Sequence, residues 1–294
     1  MIFNPRFKIY IVGYNTFMKN VKNLKFIIIA IVVVAVLVCG VLVADKTGLF
    51  EEETTTEPVT LATTKITFIE GITLTEAFRL LEQNKVCSYE ALMNAAQNYG
   101  FTDYKIYSDI PVDENRCFKL EGYLFPDTYD FFLDEAPESV IGRFLSNSDV
   151  KITDEMRARA KELGYTMDEI MTVASIIQAE GAFPDDAATI AGIIYNRLDD
   201  GMRLEMDSTY FYVQEDIASL VGEENIEKYK AIYNTYECFS LPQGPVCNPG
   251  MFAINAALYP EETDYYYFCH DSSGNTYYAE TYAEHLRNCD KAGL

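Results

Sequence analysis

The chain has 294 residues and a formal net charge of −22, with 23 Lys and Arg against 45 Asp and Glu. Residues 1–25 hold Arg6, Lys8, Lys19, Lys22 and Lys25 and no acid, so the remainder is more acidic still and carries no basic stripe that would suit nucleic acid. The length allows one domain of about 150–180 residues with a smaller one beside it.

After the basic residues comes FIIIAIVVVAVLVCGVLVA (26–44), nineteen residues without a charge. As a helix this crosses a bilayer core of roughly 30 Å. A cleavable leader has a shorter apolar stretch, about 7–15 residues, and ends in small residues; Val43-Ala44 keeps cleavage open as a second reading. The basic flank orients the span, with 1–25 cytoplasmic and 45–294 outside, so the expected location is the cell membrane with a single pass. Met18-Lys19-Asn20 also makes a natural start for such an anchor. Next, EEETTTEPVTLATT (51–64) is polar and lacks apolar periodicity, and 45–64 reads as a disordered stalk. As a flexible coil it reaches about 25 Å.

Residues 65–118 read as a small α/β module. Ile66 and Phe68 alternate as a short strand, Gly71 turns the chain, and Thr73 or Thr75 caps a helix whose apolar positions are Leu74, Ala77, Phe78 and Leu81. A second helix carries Leu92, Ala95 and Ala96, and a strand is expected at Tyr104–Tyr107. The pattern resembles LysM-like glycan-binding modules; a packing module fits it equally well.

From 119 to 294 a mixed α+β domain is expected. KLEGYLFPDTYDFFL (119–133) is aromatic-rich and broken by Pro126. Helices follow near 137–147 and 153–163, the latter stopped by Gly164. Two more, Asp168 to Glu180 and Asp185 to Asp199, flank the GAFP break. Beyond 203 the prolines indicate loops and short helices, closing in a hairpin around DYYYFCHDSSGNTYY (264–278). Cys39 lies in the apolar span, leaving Cys87, Cys117, Cys238, Cys247, Cys269 and Cys289 outside. Six cysteines allow fifteen pairings; proximity singles out Cys238–Cys247, and six free thiols are the alternative. No CxxC or His-rich spacing points to a metal, so neither metal nor cofactor is expected.

The helix ending VASIIQAEGAF (173–183) poses the chemical question. At a 3.6-residue period Val173, Ile176 and Glu180 share a face, so the carboxyl projects beside apolar side chains. Desolvation there, and the negative helix end, both favour the protonated form. A carboxyl that keeps its proton is what a general acid needs at a glycosidic oxygen. Taken alone, a solvated Glu at a helix end is the commoner occurrence.

Four segments in order change that balance: LEGYLFPDTYDF (120–131), ASIIQAEG (174–181), IIYNRLDDGMRLEMDST (193–209) and YNTYECFSLPQGPVCNPGMFAINAALYP (233–260). Together they resemble the endolytic murein transglycosylase (YceG-like) family over roughly 65–290. The resemblance implies cleavage of MurNAc-β-1,4-GlcNAc bonds in nascent peptidoglycan strands, leaving 1,6-anhydro-MurNAc ends, with one Glu as acid and then base. The sugar's own C6 hydroxyl attacks, so a second carboxylate is dispensable. Carried over, the catalytic Glu is Glu180, the second acid of a Glu-x-Glu pair whose first position is Gln178 here. Asn275 also departs from the family pattern, which often has His in the final hairpin, whereas His285 matches. Peptidoglycan synthases are implied as partners.

Substrate contacts are expected among the matched residues Glu121, Tyr123, Gln178, Asn196, Asp207, Asn234, Tyr236 and Asn248, although caps and turn anchors also fit Asn234 and Asn248. Arg197 is expected to neutralise a buried acid, Glu121 or Asp207. Two other readings stand beside the enzyme. Gln178 and Asn275 suit a non-catalytic peptidoglycan-binding scaffold, and a water-using hydrolase would recruit Asp207 or Glu205 as its second carboxylate.

Overall fold

Strand β1 (Thr63–Thr67) finds its partner far along the chain: it pairs antiparallel with β2 (Thr128–Phe132), Thr63 opposite Phe132 and Thr67 opposite Thr128. Thr63 and Thr64 are therefore strand rather than stalk. The computed structural model describes residues 62–181 and 183–294, and residues 61–294 form one unit. The expected span at 26–44 and most of the stalk lie outside the described residues; among those described, no helix is long and apolar enough to cross a membrane.

Between these strands lie α1 (Leu74–Gln83), α2 (Tyr89–Asn98) and α3 (Lys105–Asp109). Thr73 and Glu76 close a capping box on α1, and Ser88 caps α2. The strand expected at Tyr104–Tyr107 is instead the helical turn α3. Its first amides are capped from elsewhere, since Asp149 accepts from Lys105 N at 2.9 Å and Ile106 N at 2.6 Å. A tertiary contact thus overrides the local β preference of Tyr104, Ile106 and Tyr107. The strand that β1 pairs with, β2, lies beyond the module's expected end at 118.

The helical body follows: α4 (Pro137–Lys151), α5 (Asp154–Glu162), α6 (Met167–Ala179), α7 (Ala187–Asp199), α8 (Asp207–Tyr212), a π turn at Val213–Ile217, then α9 (Ala218–Val221), α10 (Glu223–Tyr233) and α11 (Met251–Leu258). The chain closes with the hairpin β3 (Tyr267–His270) and β4 (Thr276–Ala279), and α12 (Tyr282–Ala292). The sequence reading stops at the hairpin and misses α12, although Thr281 caps it at Glu284 N. The architecture is mixed α+β with two two-stranded sheets.

α6 is the central post. Met167, Asp168 and every residue from Ile170 to Ile177 are buried, so it is enclosed on all faces rather than amphipathic. It packs against α5, α7 and α11. A second capping box, Thr166 with Glu169, starts it.

Polar residues of the matched segments tie this body together from inside. Glu121 is 1% exposed and accepts from Leu74 N at 2.9 Å, from Tyr212 OH at 3.1 Å and from Asn248 Nδ2 at 3.3 Å. Asn248 in turn accepts from Leu124 N and donates to Ile72 O. The second knot is the Arg116–Asp168 ion pair at 2.7 Å, joined by Tyr123 OH donating to Asp168. Gly122 sits between the knots at φ +86°, and a Cβ there would lie 2.4 Å from Pro245. Neither a side chain's bulk nor its backbone preference fits that position.

All six described cysteines are free, and the expected Cys238–Cys247 pair is absent. Cys247 is buried with its thiol donating to Ser175 O, whereas Cys238 turns to Ser240 O. Burial pushes the Cys117 thiol up to about 12.

Candidate active site

α6 ends at Glu180, the helix C-cap, and Gly181 follows at φ +69°. The buried helix therefore delivers one carboxyl to its own negative end. Glu180 opens into a cavity of about 400 Å³ also lined by Arg197, Leu204, Glu205, Met206, Asp207, Tyr236 and residues of β3 and α12. The Ser208 amide, in the first turn of α8, donates to Glu180 Oε1 at 3.1 Å. Burial raises the carboxyl above its ordinary range and Asp207 pushes the same way, outweighing the hydrogen bonds from Ser208 and the attraction of His270. The result is a carboxyl biased toward its protonated form beside the cleft.

His270, on β3, is the neighbour that sequence reasoning missed. Thr276 Oγ1 donates to Asp186 Oδ2 at 2.7 Å, so its oxygen is free to accept from His270 Nδ1–H at 3.0 Å. In the neutral ring this leaves the lone pair on Nε2, a buried atom with no hydrogen-bond partner in a residue that lines the cleft. Tyr278 OH also donates to Asp186, which anchors the hairpin to the start of α7. The sequence signal was present: His270 is one of two histidines, both in the last 25 residues.

Aromatic side chains line much of the cavity. Tyr236 OH donates to Asp207 Oδ1 at 2.6 Å, and Tyr267 stacks on His285 with centroids 5.3 Å apart. Arg197 packs over the Tyr267 ring at 4.9 Å and donates to the carbonyls of Tyr266, Arg203 and Leu204. Its acid is Glu205 at 3.5 Å, and neither Glu121 nor Asp207, because Arg197 Nη1 already reaches the 203–204 backbone beside Glu205. Burial and this guanidinium lower His285 below its usual range.

Of the residues expected at the site, Glu180, Asp207 and Tyr236 meet in the cleft. Glu121, Tyr123 and Asn248 are at most 1% exposed, in the knots described above. Gln178 accepts from Gly250 N at 3.1 Å and clamps the start of α11. Asn196 donates to the carbonyls of Thr263 and Tyr265, while Asn234 accepts from Tyr236 N as a turn anchor. Asn234 nonetheless acts at one remove, since it holds the backbone that presents Tyr236.

The model of the YceG-like family matches residues 49–291. An endolytic murein transglycosylase of Streptococcus pneumoniae is 31% identical over 249 residues, covering 79% of this chain and 44% of that protein. One from Bacillus subtilis is 29% identical, covering 77% and 64%. The chain thus spans 44% of the pneumococcal relative's length and 64% of the Bacillus one's. A crystal structure of a yceG-like protein from Listeria monocytogenes superposes with a TM-score of 0.67 at 29% identity, covering 76% of this chain and 75% of that one.

Proposed function

This chain belongs to the YceG-like family, and from that premise we propose that it is an endolytic peptidoglycan lytic transglycosylase with Glu180 as its acid and base. The observation that carries this reading is the placement of Glu180: one carboxyl, raised by burial above its ordinary range, at the end of a buried helix, facing a cleft walled by Tyr236, Tyr267 and Tyr282. Aromatic rings of this kind suit sugar faces.

In the first step Glu180 gives its proton to the glycosidic oxygen as the bond from MurNAc C1 breaks. In the second, its carboxylate takes the proton of the C6 hydroxyl as that oxygen bonds C1, which regenerates the acid and closes the 1,6-anhydro ring. No water enters. The intramolecular nucleophile replaces the second carboxylate of a hydrolase. His270 Nε2 accepts a hydrogen bond from the bound glycan, and Asp207 holds Tyr236 against it.

Residues 26–44 anchor the enzyme in the cell membrane with its cleft outside, the 45–62 linker keeps it near nascent strands, and synthases of those strands are its expected partners. The β1-α1-α2-α3-β2 unit is read as LysM-like and contributes glycan contacts.

Uncrosslinked glycan strands incubated with the full chain are expected to yield anhydro ends, lighter by one water than hydrolytic ends in mass spectra. Glu180→Gln removes them. Reducing ends carrying an added water would instead assign a hydrolase using Asp207 or Glu205, and absence of cleavage would assign a binding scaffold.

A further inference from the structure

The cavity that holds Glu180 contains a convergence that the proposed reaction does not use. Cys269 on β3 and His285 and Cys289 on α12 point one ligand atom each to a common centre, all within 4.8 Å of one another. His285 and Cys289 are one helical turn apart, and Cys289 Sγ lies 3.6 Å from His285 Nε2. Among the described residues that sulfur is the imidazole's one hydrogen-bonding partner.

We propose that Cys269, His285 and Cys289 form a binding site for a borderline-soft divalent cation of the Zn²⁺ class. Bonds of about 2.3 Å to sulfur and 2.0–2.1 Å to nitrogen at tetrahedral angles space the ligands roughly 3.5–3.8 Å apart. The sulfur–nitrogen pair already has that spacing, and the remaining pairs need to close by about 1.3 Å at most. Two thiolates and a neutral imidazole balance the charge of a divalent ion without help from a carboxylate. Thiolates also select against Mg²⁺ and Ca²⁺, which take oxygen ligands. The imidazole argues against a plain disulfide, because bonding the two sulfurs together would strip His285 of its partner.

All three residues line the cavity that holds Glu180, so the fourth coordination position opens to the cleft and takes water or a donor atom of a bound molecule. The site is invisible to motif reading because its ligands come from two elements and lack CxxC spacing. It fastens the hairpin to α12, an element with Asn288 as its one buried residue.

Co²⁺ is the direct probe. The full chain, purified reduced and stripped with chelator, is expected to bind one equivalent, giving a thiolate-to-metal charge-transfer band and the visible bands of tetrahedral cobalt, both removed by Zn²⁺. Cys269→Ser and Cys289→Ser lose the charge-transfer band, His285→Gln weakens it, and Cys238→Ser retains it. Circular dichroism without metal checks that each variant folds, and Zn²⁺ should raise the melting temperature of the parent but not of Cys289→Ser. The proposal is overturned by absence of a thiolate band, by a band that survives in Cys289→Ser, or by a Cys269–Cys289 disulfide in the protein as isolated.

Discussion

Glu180 is governed by two opposing influences, burial beside Asp207 and hydrogen bonding from Ser208, and burial prevails. In the proposed reaction its protonated form is the acid, so activity is expected to fall as pH rises through its raised value. Asp207→Asn removes a negative neighbour while leaving Tyr236 an acceptor, and the alkaline limb of the pH–rate profile is expected to move to lower pH. The same shift bears on stability. The folded protein keeps this proton where the unfolded chain has released it, so the native state binds more protons above the ordinary value of 4.5 and loses stability as pH rises through that window. Glu180→Gln should therefore melt above the parent at neutral pH while losing about 10²–10⁴-fold in rate, as thermal melts and product assays can read. At this scale the sequence was legible where polarity contradicted its surroundings. A carboxyl after an apolar run could be read as chemistry, but Glu121 and Asn248 resembled substrate ligands only because a buried structural acid and a sugar-binding acid look alike in one dimension. Both face inward, which was set by segments far away in the chain.

The elements divide by where their instructions lie. α1, α5 and α6 carry their own N-caps (Thr73, Thr153 and Thr166), and the sequence located them to within a residue or two. α3 depends on Asp149 more than forty residues away, which is why its pattern read as a strand. Likewise β1 is a strand through a partner past the expected module boundary. The two buried knots make this dependence testable. Arg116→Met takes away the ion-pair partner of Asp168 in the interior, leaving the Tyr123 hydroxyl as its donor, and is expected to cost about 3–5 kcal/mol in denaturant titrations. Gly122→Ala drives a methyl into Pro245 at a backbone conformation that disfavours it, and a loss of about 2 kcal/mol or more follows. In both variants the folded fraction should retain the parental pH profile, because neither residue lines the cleft. A shifted profile would show that the knots reach Glu180.

For the whole molecule, the described part holds together by packing and buried polar links, without a disulfide among its six cysteines. The protein's intact mass is expected to be the same before and after reduction, and the six thiols of the described part should react once denatured. A core built this way leaves the two sides of the cleft unequal. Glu180 stands at the end of α6, whose central residues are enclosed on every side, while α12, which also lines the cavity, buries Asn288 alone. Amides of α6 should exchange with solvent only on global unfolding, and those of α12 through cheap local opening, a contrast that hydrogen exchange can measure. The cleft thus works as an anvil and a soft jaw. The Glu180 carboxyl is held by an enclosed helix while α12 is the more open element, so a ligand shaped to the α6 side is expected to meet a more constant surface than one shaped to α12.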